Sequence, residues 1–246
     1  AILPPVKLVK EYLNESFILY KPKDIVAGDF YWIAPIDETK AVQTNSTKID
    51  HRILFAAADC TGHGVPGAMV SVVCSNALNR AVKEFGITNP AQILDKVREL
   101  VIETFEKSES EVKDGMDISL VLLNTSTYEV AWAGANNPLW IISENELQEI
   151  KPDKQPIGKY AAIKPFTSHS IQLKKNQCLY IFTDGFVDQF GGTQGKKFKT
   201  TNFKKLLISI QDQSMDKQKE ILNSAFENWK GHLEQVDDVC VIGVRI

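Results

Sequence analysis

At 246 residues and 43% hydrophobic content, the chain is long enough for one large domain or two small ones with a packed core. Its 28 Lys and Arg against 31 Asp and Glu leave a net charge of −3, and with no basic run or aromatic-basic interleaving this argues against a nucleic-acid partner. No apolar stretch approaches the roughly 20 residues that span a bilayer, no signal peptide is evident, and Cys60, Cys74, Cys178 and Cys240 form no C-x-x-C pair, so a soluble domain of a reducing cytoplasm is expected.

Strands are predicted at 17–20, 29–33 and 53–58, the last a continuous apolar run of the kind buried on both faces. A helix follows over 65–85 with Pro66 in its first turn, and Asn89-Pro90 opens a second over 91–107. Short strands at 118–123, 129–133, 139–142 and 147–150, separated by polar turns, have the rhythm of an antiparallel meander. Strands at 178–182 and 239–246 complete the set, with helices at 203–210 and 217–229 between them. Clustered strands and paired helices predict an α+β fold of antiparallel sheets covered by helix pairs, not alternating βαβ units. No internal repeat, low-complexity tract or interdomain linker interrupts the chain.

The stretch Asp59-Cys60-Thr61-Gly62-His63-Gly64-Val65-Pro66-Gly67 joins the 53–58 strand to the 65–85 helix. Gly62, Gly64 and Gly67 match the dinucleotide pattern G-x-G-x-x-G, but that fingerprint requires a parallel strand after the helix, where this chain has a second helix. Cys74 and Arg80 have the C-x5-R spacing of cysteine-dependent phosphatases, yet the residues between contain no glycine and continue a helix, so core packing explains Cys74 better. His63 is open between a proton donor and a residue that stabilises the turn.

The aspartates make a stronger pattern. Asp29 opens a strand, Asp59 closes one, Asp184 follows the 178–182 strand, and Asp237-Asp238 precede the last. Side chains at strand ends converge on a sheet rim, where clustered carboxylates require divalent cations. Hard oxygen donors without a histidine or cysteine pair select Mg²⁺ or Mn²⁺ over Zn²⁺.

Ala27-Gly28-Asp29-Phe30-Tyr31, Asp59 to Gly64, Ala133-Gly134-Ala135-Asn136-Asn137-Pro138, Thr183-Asp184-Gly185 and Asp237-Asp238-Val239 together resemble the ordered motifs of the SpoIIE/RsbU-like branch of the metal-dependent type 2C (PPM) serine/threonine protein phosphatases. The resemblance runs nearly end to end and implies a single domain over 1–246, a four-layer α-β-β-α sandwich, with residues 1–13 ending a linker from a missing upstream sensor or repeat region. The start at Ala1, without Met, fits that reading.

By resemblance, Asp59 bridges two Mn²⁺ or Mg²⁺ ions, the Cys60 carbonyl ligates beside it, Asp184 and Asp237 complete the carboxylates, Asp29 holds waters or ligates directly, and Asp238 orients Asp237. The third-metal aspartate is open between Asp114 and Asp117. Cys60, Thr61 and Gly62 separate His63 from Asp59, where eukaryotic-type members have a histidine two residues on, and only Lys21 and Lys23 precede Asp29 as phosphate-binding cations. The implied reaction is hydrolysis of phosphoserine or phosphothreonine by a water activated between the ions, in bacterial partner-switching signalling. The implied partners are a phosphorylated protein, such as an anti-anti-sigma-type protein, and an upstream regulatory region; the linker helix could form a homodimer or lead to a membrane attachment. The alternative is a regulated binding module of the same fold with little turnover. The glycine-rich 185–195 stretch and Lys196 to Lys199 could form a mobile flap or a solvated basic loop.

Overall fold

The computed structural model describes residues 2–36, 52–106 and 114–246. In chain order these form α1 (Val6–Tyr12), β1 (Ser16–Lys21), β2 (Phe30–Ile36), β3 (Arg52–Cys60), α2 (Gly64–Lys83), α3 (Pro90–Glu106), β4 (Met116–Asn124) and β5 (Glu129–Ala135). There follow β6 (Leu139–Ser143), β7 (Glu146–Ile150), β8 (His169–Gln172), β9 (Cys178–Phe182), α4 (Gly185–Asp188), β10 (Phe190–Gly191), β11 (Lys196–Lys197), α5 (Thr200–Ile210), α6 (Met215–Lys230) and β12 (Val239–Arg245).

The strands build two five-stranded antiparallel sheets, ordered β2-β3-β4-β5-β8 and β1-β12-β9-β6-β7, beside a small β10-β11 hairpin. The period of two along each strand sorts side chains into three apolar layers. On β3, Leu54, Ala56 and Ala58 face α2 and α3, while Ile53, Phe55 and Ala57 face the other sheet. This central position explains the unbroken apolar run, because both faces of β3 are covered. Trp140, Tyr180 and Phe182 turn outward from the second sheet onto Phe203, Leu222 and Phe226 of α5 and α6. The result is the α-β-β-α sandwich.

Helix boundaries follow local chemistry. Asn89 caps α3, its Oδ1 accepting from the Ala91 and Gln92 amides at 3.0 and 3.2 Å, and Pro90 takes the first helical position, where no N–H partner is needed. Ser214 caps α6 by accepting from the Lys217 amide at 3.3 Å.

One expectation is corrected. The predicted meander is divided: β4-β5 belong to one sheet and β6-β7 to the other, with Asn136 (φ 58°), Asn137 and Pro138 carrying the chain between them. Strands β4, β5 and β6 are buried on both faces alike, so polarity along them carries no mark of which sheet each joins. Of the 185–195 stretch, α4 buries Phe186 and Val187 against Phe203 and Phe226 and β10 pairs with β11, while residues 192–197 and Lys199 are exposed. The elements α1 and β8 were not foreseen. Strand β8 is a four-residue edge strand without a fully buried side chain, and α1 anchors by Val9 and Leu13 between the sheets. All four cysteines are free and buried. Among the described residues, no helix is long and apolar enough to cross a membrane.

Candidate metal centre

The aspartates singled out in sequence meet at one rim of the sandwich. Asp59 and Asp117 face each other in the β3-β4 register, one residue before the end of β3 and one after the start of β4. From the second sheet, Asp184 follows β9 and Asp237 precedes β12, and the antiparallel β9-β12 pairing brings these two ends together. All four line a cleft of about 330 Å³, with Cys60, Gly62, His63, Gly115, Ile157 and Lys159 on its walls. Asp114 is not among the residues lining it, whereas Asp117 is.

Asp29 lies in the interior of the same rim, only 3% exposed. Its Oδ2 accepts the Thr183 hydroxyl at 2.6 Å, and Thr183 Oγ1 in turn accepts the Cys240 amide at 2.9 Å. A carboxylate of the first sheet is thereby tied to β9 and β12 of the second. Asp238 has a role wider than expected. It is the Asp238 backbone amide that bonds Asp237 Oδ1, at 2.8 Å, while the buried Asp238 carboxylate accepts the amides of Lys23 at 2.7 Å and Gly28 at 2.8 Å. Asp238 therefore fixes the loop that delivers Asp29 as well as the backbone that holds Asp237.

Close backbone approach completes the floor. Gly62 has φ +83°, a conformation that favours glycine, and its carbonyl would lie 2.3 Å from a Cβ on Gly28 and 2.0 Å from one on Gly67. The glycines of the 62–67 pattern thus serve contact between the Asp29 loop, the turn after Asp59 and the start of α2. Cys60 turns its thiol into the apolar layer under α2, leaving backbone for the cleft.

The electrostatics are those of crowded acids. Burial, followed by the charges of Asp238, Asp237 and Asp184, pushes Asp29 up to about 8 despite the hydrogen bond from Thr183. Burial and then Asp188, Asp237 and Asp117 push Asp184 up to about 6, with Lys197 acting in the opposite sense. Asp59 is held well above the ordinary carboxylate range by burial and then by Asp29, Asp184, Asp237 and Asp117. Burial also raises Asp117, whose Oδ1 accepts Asn136 Nδ2 at 2.8 Å. Like charges opposite one another in a sheet are unfavourable without a compensating cation.

These oxygen donors fit Mg²⁺ or Mn²⁺ chemically. Among the described residues, however, no three His, Cys, Asp or Glu side chains are gathered into a set that could hold an ion.

His63 stands at the mouth of the cleft with both ring nitrogens engaged. Lys23 Nζ lies 2.9 Å from Nε2 and Asp24 Oδ2 lies 3.0 Å from Nδ1. An ammonium only donates and a carboxylate only accepts, so these contacts tie the ring to the loop that precedes Asp29. Of the two lysines before Asp29, Lys21 is directed elsewhere, to Glu227 at 2.6 Å and Asn223 at 2.9 Å. Thr183, Asn136 and Lys159 were assigned no role from sequence. The first two stand inside recognised motifs, while Lys159 has no sequence signal.

The profile of the Stage II sporulation protein E (SpoIIE) family matches residues 49–246. Among solved structures, the SiaA-PP2C domain of Pseudomonas aeruginosa is 30% identical, with a TM-score of 0.83 over 100% of this chain and 91% of that one. The PP2C phosphatase domain with a fragment of the regulatory domain of SpoIIE from Bacillus subtilis is 15% identical, with a TM-score of 0.71 over 94% of this chain and 63% of that one. The RsbU and RsbW domains of a Mycobacterium tuberculosis protein are 18% identical, with a TM-score of 0.67 over 94% of this chain and 59% of that one. The last two share the fold, and this chain spans less than two thirds of each. No curated protein sequence matches the chain.

Proposed function

For a chain that belongs to the SpoIIE family of PP2C-type (PPM) phosphatase domains, we propose hydrolysis of phosphoserine or phosphothreonine on a protein substrate, dependent on Mn²⁺ or Mg²⁺. The observation that carries this reading is the convergence of Asp59, Asp117, Asp184 and Asp237 on one cleft, above the buried Asp29. PPM phosphatases are metal-dependent enzymes. Here Asp59, Asp184, Asp237 and the Cys60 carbonyl would hold two ions, and Asp117, which lines the cleft where Asp114 does not, is the better placed for a third. Two such ions, when bound, supply a nucleophilic water at neutral pH and offset charge on the phosphoryl oxygens.

The chain's own residues have distinct tasks. Thr183 orients Asp29 by donating to one of its oxygens, and Asp238 keeps the loop of Asp29 seated. Asn136 turns Asp117 by donating to one of its oxygens. His63 sets the turn through Asp24 and Lys23, so protonation of the leaving alkoxide falls to water. The partner-switching setting, with an anti-anti-sigma-type substrate and an upstream regulatory region, is inferred from the kinds of protein to which the fold is similar.

A second reading is a regulated domain with little turnover of its own, a reading favoured by the regulatory-domain fragment that accompanies the similar phosphatase domain of SpoIIE. Calorimetric titration with Mn²⁺ beside turnover of phosphoproteins from the same cell decides between them. Turnover lost in Asp59→Asn and Asp184→Asn supports catalysis, tight Mn²⁺ binding without turnover supports the regulated module, and retained turnover in Asp184→Asn at saturating Mn²⁺ refutes the metal assignment.

A further inference from the structure

Lys159 shares the cleft with Asp59, Asp117, Asp184 and Asp237. Its loop is closed at both ends. At one end Met116 and Ile157 exchange backbone hydrogen bonds of 3.0 and 2.8 Å, pinning the segment to the strand that carries Asp117. Gly115 permits this approach, since a Cβ there would lie 2.0 Å from the Ile157 carbonyl oxygen. At the other end the buried Gln155 donates to the Lys164 carbonyl at 2.8 Å and accepts its amide at 3.0 Å, while Arg98 of α3 donates to the same carbonyl at 2.9 Å. Lys159 is therefore presented from a fixed base.

Its ammonium is weakly committed. Lys159 Nζ lies 3.5 Å from Glu106 Oε1, and the two side chains are 44% and 56% exposed, so the pair is solvated and easily exchanged. Two other lysines near the cleft have closer partners, Lys23 at 2.9 Å from His63 Nε2 and Lys197 at 2.8 Å from Asp188 Oδ2. A phosphoryl dianion entering this cleft meets a floor of carboxylates, and a cation on the wall lowers the repulsion while leaving the floor to the metals.

We infer that Lys159 is a substrate-binding cation that exchanges Glu106 for a peripheral oxygen of the phosphoryl group. This rests on the phosphatase reading and adds to it a residue outside all the motifs. The test uses the Mn²⁺-loaded chain with p-nitrophenyl phosphate as substrate and inorganic phosphate as a calorimetric ligand. Lys159→Met should raise both the KM and the phosphate Kd roughly tenfold, with kcat within about twofold and the Mn²⁺ affinity and melting temperature unchanged. Lys159→Arg should restore part of the loss, and Glu106→Gln should tighten phosphate binding by freeing the ammonium. A phosphate Kd for Lys159→Met within about twofold of the parent overturns the inference, as does a fall in kcat at constant KM. If the parent binds Mn²⁺ but does not hydrolyse the ester, the phosphatase reading fails, and the phosphate Kd still decides the role of Lys159.

Discussion

The Thr183 hydroxyl donates to Asp29 Oδ2 at 2.6 Å, a bond that joins the two sheets at the rim where the acidic residues gather. It favours the charged form of Asp29, against burial and the neighbouring carboxylates of Asp238, Asp237 and Asp184. Replacing Thr183 with Val keeps the shape and removes the donor. The expected loss is about 1–3 kcal/mol of stability, with weaker Mn²⁺ binding, and Thr183→Ser should retain most of both. Urea unfolding and Mn²⁺ titration of the two variants check this; equal behaviour of Val and Ser refutes it.

Asp184→Asn should separate stability from function. In EDTA at pH 8 the variant should melt above the parent, because it removes a buried charge that Asp188, Asp237 and Asp117 all disfavour. With Mn²⁺ present the order should reverse and phosphatase turnover should be lost. A variant that melts lower than the parent in EDTA would show that Asp184 is held by contacts other than metal.

Stability of the metal-free protein should fall as pH rises. Asp29 titrates at about 8 and Asp184 at about 6 in the folded chain, both above the ordinary value near 4 of an unfolded carboxylate. Between those values the folded state binds more protons than the unfolded one, so the contribution is complete below about pH 4 and is lost as pH passes 6 and then 8. Saturating Mn²⁺ should flatten the profile between pH 6 and 8. Urea midpoints at several pH values, with EDTA and with Mn²⁺, measure it; a metal-free protein that gains stability over that interval contradicts the assignment.

Gly67→Ala should disturb the metal site without touching a carboxylate. Its Cβ would stand 2.0 Å from the Gly62 carbonyl oxygen, forcing α2 away from the turn after Asp59. The expected cost is about 1–3 kcal/mol, accompanied by weaker Mn²⁺ binding. Gly86→Ala has no atom within 4 Å to meet and pays only for its positive φ, so it should cost about 1 kcal/mol and leave Mn²⁺ affinity unchanged.

His63→Gln should keep kcat within about threefold of the parent, since the ring's nitrogens are already engaged by Lys23 and Asp24. Loss of a general acid would lower the rate by about 10²–10⁴. A pH-rate profile of parent and variant distinguishes the two outcomes.

The layer structure was legible in the chain because burial on both faces leaves a continuous apolar run, as in β3, and because Asn89-Pro90 and Pro66 mark helix starts by local chemistry. The assignment of β4-β5 and β6-β7 to different sheets was not legible, since β4, β5 and β6 have the same two-sided burial and only long-range pairing separates them. The candidate acidic residues were visible for a related reason. A charged side chain beside a buried strand is costly, so its placement at a strand end stands out against the apolar run.

What the sequence determined by itself is the set of acids and glycines and their order, because these depend on local backbone geometry and on the contrast between charge and core. What tertiary structure alone decided is their partners. Asp59 faces Asp117, Thr183 holds Asp29, Asp238 seats a loop 210 residues earlier at Gly28, and Lys159 reaches the cleft through a loop pinned to β4. Each joins residues far apart in the chain, and such contacts follow from how the two sheets stack, which no local pattern encodes.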